Sequence, residues 1–254
     1  MNRQRSLALV TGGRRGIGLG IARALAAKGF DLAIIDRERD EAVIHELRGL
    51  GGRVAFFESD LASIETHEAT VAAVVNELGG IDCLVNNAGM GSVERGDFLG
   101  LKPENFDTII DVNLRGTVFF TQAVVKSMLA VTDVRFPRSI VTISSVSSVM
   151  TSPERLDYCI SKAGLTAFVQ GLALRLAEAR IGVFEVRPGI IRTDMTARVA
   201  ERYDGLIEGG LVPMKRWGEA GDVGAIVAGL AGGDFIFATG SAINADGGLS
   251  IAKL

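Results

Sequence analysis

Short apolar, β-branched runs alternate along the chain with longer stretches whose apolar residues recur at helical spacing, and this alternation leaves few folds open. Strands are expected at Leu7–Val10, Leu32–Ile35, Val54–Glu58, Cys83–Asn86, Ile140–Ser144, Gly182–Arg187 and Ala242–Asp246. Helices are expected between them at Gly16–Lys28, Asp40–Leu50, Ile64–Leu78, Pro103–Ala130, Asp157–Ala179 and Ala220–Ala231. The expected fold is α/β: a doubly wound parallel sheet of about seven strands with helices on both faces. No Pro- or Ser-rich linker, repeat or charge block marks a boundary, so residues 1–254 read as a single domain. Thr193 to Trp217 breaks the alternation. It has mixed polarity and contains Gly205, Gly209, Gly210 and Pro213, and it reads as an extended, mobile excursion over the sheet edge.

Composition narrows the function classes. With 48% apolar residues in 254, the chain can bury a large core, and 32 Gly against 5 Pro means that backbone must come close to something at many places. The net charge is −3 and Lys and Arg are scattered, which leaves no electrostatic footprint for nucleic acid or a membrane and points to a small-molecule partner. The two His, His45 and His67, lie in polar, helix-like stretches, which argues against His triads, HExxH zinc sites and a His base. Cys83 and Cys159 can form neither a disulfide framework nor a zinc knuckle; they read as packing residues in a reducing compartment, and no metal is expected. Met1 to Ser6 lacks an apolar signal region, and no apolar run approaches the ~18 residues of a membrane span. The expectation is a soluble, cytoplasmic protein.

The first strand ends in Thr11-Gly12-Gly13-Arg14-Arg15-Gly16-Ile17-Gly18 and leads into an amphipathic helix. Glycines there permit a tight turn and let N–H groups at the helix N-terminus approach a pyrophosphate, although a purely structural turn has the same composition. Asp36 follows the second strand, where a carboxylate can bond both ribose hydroxyls and repel a 2′-phosphate, which favours NAD(H). Arg14, Arg15 and Arg37 could neutralise that phosphate and leave NADP(H) open, and Asp36 could instead cap the next helix. Asp60, beside Leu61 after the third strand, could receive an adenine amino group or serve as an N-cap. Asn86-Asn87-Ala88-Gly89 after the fourth is small enough for a ring or ribose to lie on the backbone.

Tyr158 and Lys162 are four apart in an expected helix and share a face, so an ammonium beside the phenol would bring its pKa towards neutrality and fit it for acid/base work. Ser145 ends the fifth strand, where its hydroxyl could bond a substrate carbonyl, with Ser144 pointing the other way. Taken singly, such a pair is usually a solvated helix face and Ser144 to Ser148 is ordinary turn composition; together with a nucleotide turn they read as an active site.

In these residues the chain resembles the classical short-chain dehydrogenases/reductases over essentially its whole length: Thr11-Gly12-x-x-x-Gly16-Ile17-Gly18, Asn86-Asn87-Ala88-Gly89, Asn113, Ser145, Tyr158-x-x-Ser161-Lys162 and Pro188-Gly189 fall in the family's order and spacing. The resemblance implies a Rossmann-like fold and hydride transfer between a nicotinamide and a secondary alcohol or ketone. It implies that Tyr158 is the acid/base, that Lys162 binds the nicotinamide ribose, that Ser145 orients the substrate oxygen and that Asn113 holds a relay water. It places Gly12, Arg14, Arg15, Gly16, Ile17, Gly18, Asp36, Arg37, Asp60, Leu61, Asn87, Ala88, Gly89, Pro188, Gly189, Ile191 and Thr193 along the cofactor. The outline is most similar to that of bacterial 3-oxoacyl-acyl-carrier-protein reductases, although Asp36 and a long Val131–Arg138 turn depart from them, and sugar or polyol dehydrogenases share it. A dinucleotide-binding regulator without chemistry is the alternative from another class. Ala163–Ala177 and Val118–Leu129 are apolar over more than one stripe, and the resemblance implies that they pack in a homotetramer or homodimer. Residues of about 193–217 would form the substrate loop.

Overall fold

The computed structural model describes residues 4–197 and 200–252. Strands β1 (Leu7–Thr11), β2 (Asp31–Asp36), β3 (Val54–Glu58), β4 (Cys83–Asn86), β5 (Arg138–Ile143), β6 (Ile181–Pro188) and β7 (Ala242–Ala245) form one sheet in the order β3-β2-β1-β4-β5-β6-β7. All six pairings are parallel. The helices are α1 (Gly16–Ala27), α2 (Glu41–Arg48), α3 (His67–Leu78), α4 (Pro103–Ile110), α5 (Thr117–Ala130), α6 (Leu156–Leu176), α7 (Asp194–Ala197), α8 (Ala200–Glu208) and α9 (Ala220–Ala231).

The central strands are apolar at successive positions because helices cover both faces of the sheet. Ala8, Val10, Leu32 and Ile34 point to one side, where Ile21, Leu25, Ile44, Val223 and Val227 of α1, α2 and α9 complete a core. Leu7, Leu9, Ala33 and Ile35 point to the other, against Val74, Phe120, Val124, Val169 and Leu176 of α3, α5 and α6. Each large aliphatic side chain buried here contributes ~1.5–3 kcal/mol. The α1–α9 crossing depends on the absence of side chains. A Cβ on Gly20 would lie 2.6 Å from the Ala220 carbonyl oxygen, and one on Gly224 2.6 Å from that of Gly20.

Two segments differ from the sequence expectation. Residues 103–130 are not one helix: a π turn at Asp111–Gly116 separates α4 from α5 and turns Asn113 inward, where it is fully buried. Gly116 makes the turn possible, since any Cβ there would run into the Leu61 carbonyl. The stretch after Thr193 is not extended either, because it contains α7 and α8. A small cluster of Ile207, Val212 and Trp217 anchors it. The Trp217 indole donates to Asp204 at 2.6 Å, and the Arg192 guanidinium lies 4.8 Å from the Trp217 ring centre.

Among the described residues, no helix is long and apolar enough to cross a membrane. Cys83 and Cys159 are buried and unpaired.

Candidate active site

The carboxyl ends of β1 and β4 are tied together. The buried Thr11 hydroxyl accepts from the Asn87 and Ala88 N–H groups at 3.0 and 3.1 Å and donates to the Val85 carbonyl at 3.3 Å. The Asn87 amide donates to the Thr11 and Gly12 carbonyls, both at 3.0 Å. Gly16 opens α1 with φ +53°, and a Cβ at Gly18 would strike the Gly12 carbonyl and the Asn87 amide. Ile17 packs on the core. The first-turn N–H groups of α1 therefore open onto the glycine turn, where they and the helix dipole favour an anion. Thr193 closes the turn from above: its methyl would sit 3.6 Å from a Cβ at Gly16.

At the end of β2, Asp36 accepts from the Arg37 N–H at 2.9 Å and the Arg14 N–H at 3.4 Å. The Arg14 guanidinium stands 3.8 Å from Asp36 and 3.0 Å from Glu38, so it is already engaged with carboxylates. Arg15 is exposed and 3.9 Å from Asp194, and Arg37 is exposed. Asp60 accepts from the Ala62 N–H at 3.0 Å in the turn after β3 and caps no helix, since the next helical turn begins after Ser63. Leu61 is buried, and its carbonyl accepts from His67 at 3.0 Å.

The residues of the Ser–Tyr–Lys pattern come together at the ends of β4, β5 and β6. Lys162 is 5% exposed; its ammonium donates to the Ile143 carbonyl at 3.1 Å and lies 5.7 Å from the centre of the Tyr158 ring. Burial lowers the Lys162 pKa to about 8, against the raising effect of the Glu185 charge. Tyr158 departs from the sequence expectation. Burial raises its pKa, and the groups that pull it back are the Ser145 hydroxyl, hydrogen-bonded to it, and the charges of Arg155 and Arg95. Ser145 is buried, and its hydroxyl also accepts from the Ser147 N–H at 3.1 Å. The side chain of Asn113 brackets Met90, accepting from its N–H at 2.8 Å and donating to its carbonyl at 2.9 Å, and it donates to Ser161 at 3.1 Å. A Cβ on Gly89 would lie 3.1 Å from Asn113 Oδ1 and 3.5 Å from Lys162 Nζ, so bare backbone faces both groups. Gly189 is held by its N–H to the Ala245 carbonyl at 3.0 Å, beside the buried Pro188, while Ile191 lies in the core.

Sequence reasoning missed an ion pair behind these groups, between a buried carboxylate and a half-buried guanidinium. Glu185, 1% exposed, accepts from Arg187 at 2.8 and 3.0 Å, from Thr166 at 2.8 Å and from Ser144 at 2.5 Å. Ser144 adjoins Ser145, and Thr166 lies one helical turn beyond Lys162, so the pair ties β5 to α6 through β6. The available signal was two charges at i and i+2 in an otherwise apolar strand, which must share one face.

The family model for short chain dehydrogenase matches residues 6–204. A 3-oxoacyl-[acyl-carrier-protein] reductase of Haemophilus influenzae is 36% identical over 253 residues, which cover 98% of this chain and all of that one. Among solved structures, a 3-oxoacyl-[acyl-carrier protein] reductase from Brucella melitensis in complex with NAD is 89% identical, with a TM-score of 0.99 over the full length of both chains. A putative 2-deoxy-D-gluconate 3-dehydrogenase from Agrobacterium tumefaciens with bound NADP is 29% identical, with a TM-score of 0.86 over 96% of each chain. The chain belongs to the short-chain dehydrogenase family. It is an NAD(P)-dependent oxidoreductase of C=O and CH–OH groups.

The buried ammonium has a measurable consequence. Below pH about 8 Lys162 is charged in both the folded and unfolded chains, and the folded chain bears the whole desolvation cost. From about 8 to 10.5 the folded chain releases the proton while the unfolded chain keeps it, and the cost fades. Lys162→Met is expected to be more stable than the parent at pH 7, by up to ~3 kcal/mol. Urea unfolding should show that gap closing as pH rises towards 10, and a pH-independent gap would contradict the assignment.

Proposed function

We propose that this enzyme uses NAD(H), in preference to NADP(H), to interconvert a ketone and a secondary alcohol, with 3-oxoacyl compounds as the reference substrate class. The observation that carries the reading is the meeting of Ser145, Tyr158 and Lys162 beside a glycine turn that opens α1. The names of the similar proteins support the 3-oxoacyl class. Preference for NAD(H) rests on Asp36, whose carboxylate would repel a 2′-phosphate, and on Arg14, already paired with Asp36 and Glu38.

The residues fit the cofactor. Its diphosphate would lie on the Gly12–Gly18 turn with Thr193 above, its adenosine ribose at Asp36, its adenine near Asp60 and Leu61, and its nicotinamide half between Asn87-Ala88-Gly89 and Pro188-Gly189-Ile191. Bound there, the nicotinamide supplies or takes up the hydride. In reduction, Ser145 and Tyr158 both hydrogen-bond the substrate oxygen, and Tyr158 delivers its proton to that oxygen as negative charge develops. Lys162 holds the ribose hydroxyls, and its charge favours the phenolate left behind. Asn113 positions the Gly89–Met90 loop, and the family pattern adds a relay water at its turn. Residues of about 193–217 cover the substrate.

Exposed apolar side chains on α5 and α6, among them Phe119, Leu129, Ile160 and Leu174, favour a homo-oligomer, expected as a tetramer. Sedimentation giving the mass of one chain would contradict this.

Tyr158→Phe is expected to lower kcat/KM by roughly 10²–10⁴-fold while NADH still binds, as followed by its fluorescence. Asp36→Ala should cut the NADH-over-NADPH preference at least tenfold. Preference of the parent enzyme for NADPH would overturn the cofactor assignment.

A further inference from the structure

Arg155 immediately precedes α6, and its guanidinium lies 5.5 Å from the centre of the Tyr158 ring, within cation–π range. Its side chain makes no hydrogen bond or ion pair with any described residue. None of the neighbouring acids is ion-paired with Arg155, although the buried Oδ2 of Asp157 has no hydrogen-bond partner among the described residues. Asp157 is buried and accepts from Ser92 at 2.6 Å and from the Tyr158 N–H at 2.7 Å; Glu94 is paired with Lys102 at 2.9 Å; Glu154 is exposed. A second cation, Arg95, approaches from the loop after β4, and that loop is fastened to the start of α6 by the Ser92–Asp157 bond and by the Gly96 N–H to the Glu154 carbonyl at 3.0 Å. Arg95 likewise has no ion pair with a described residue, and its charge, like that of Arg155, reaches the Tyr158 hydroxyl.

A guanidinium presents a planar fork of donors that matches a carboxylate, and the aromatic ring beneath it limits its rotamers before a ligand arrives. We infer that Arg155, assisted by Arg95, binds a carboxylate carried by the substrate a few bonds from the reacting carbon. This rests on the proposed role of Tyr158 and narrows the substrate class to short oxo acids and their hydroxy acids. A 3-oxoacyl group held as the free acid meets this requirement. The same group held as a carrier-protein thioester does not, because its nearest anion is the phosphate at the far end of the pantetheine arm. Arg155 is therefore a specificity residue, and binding of a neutral ester leaves both guanidinium groups without an anion.

The test uses matched pairs differing in one charge: 3-hydroxybutyrate against its ethyl ester, and gluconate against glucitol. Binding to the enzyme–NAD+ complex is measured by calorimetry, and oxidation by NADH formation. The acid of at least one pair should bind at least tenfold more tightly than its neutral partner. Arg155→Gln should remove most of that advantage, chiefly through KM, and Arg155→Lys should restore part of it. Equal binding of acid and neutral partner in both pairs, including none by either, would overturn the inference, as would an advantage that survives Arg155→Gln. Failure of the underlying reading is separate: Tyr158→Phe would then oxidise acids and neutral partners as fast as the parent.

Discussion

The strand order reverses between β1 and β4, and the site is built at that reversal. From β1 the chain winds outwards through β2 and β3, then returns to β4 on the other side of β1, so the connections at the carboxyl edge diverge and leave a crevice. Thr11 and Asn87 hold its two lips at a set separation. Everything assigned to the cofactor depends on that spacing. The glycine turn on one lip packs directly on Asn87-Ala88 of the other, so that a Cβ at Gly12 or Gly18 would force them apart, and the packed sheet core beneath keeps the lips from drifting together.

The reacting groups lie on the far side of the crevice and are maintained at an electrostatic cost. An ammonium and two carboxylates are buried near Tyr158, in Lys162, Glu185 and Asp157, with the half-buried Arg187 paired to Glu185. Buried charges of this kind seldom stabilise a fold relative to apolar replacements, and removing one partner leaves the other uncompensated. Their arrangement makes sense as orientation: β5, β6 and α6 cannot slide past one another without breaking the bonds of Glu185 to Ser144, Thr166 and Arg187. The phenol, which burial alone would keep firmly protonated, is opposed by Ser145 and two arginines. The arginines that ease Tyr158 towards ionisation are also those free to meet an anionic substrate.

Much of this was legible in the sequence, for identifiable reasons. Doubly buried strands need unbroken apolar runs, so Leu7–Val10 and Leu32–Ile35 stood out, and the spacing of Tyr158 and Lys162 matched a helix whatever packed around it. The π turn at Asp111–Gly116 was hidden because it depends on the close approach of Leu61, a contact distant in sequence, while the flanking periodicity continues. Residues after Thr193 hid α7 and α8 because both are short, and α8 relies on Trp217 and Val212 for an anchor. The direction of the Tyr158 shift could not be read from spacing: burial outweighed the Ser145 hydrogen bond and the charges of Arg155 and Arg95, and burial belongs to the assembled fold. The Glu185–Arg187 pair was visible as a pattern, but its partners Ser144 and Thr166 come from two other elements.

The central claim is that hydride passes directly between a nicotinamide at the β1–β4 crevice and a carbon held against Tyr158. It is tested most directly with NADH deuterated at the transferring position and the carbonyl compound reduced fastest in a substrate panel, with the product read by mass spectrometry. The account predicts one deuterium on the new carbinol carbon and none lost to water. Unlabelled product, or label appearing in the solvent, would contradict it.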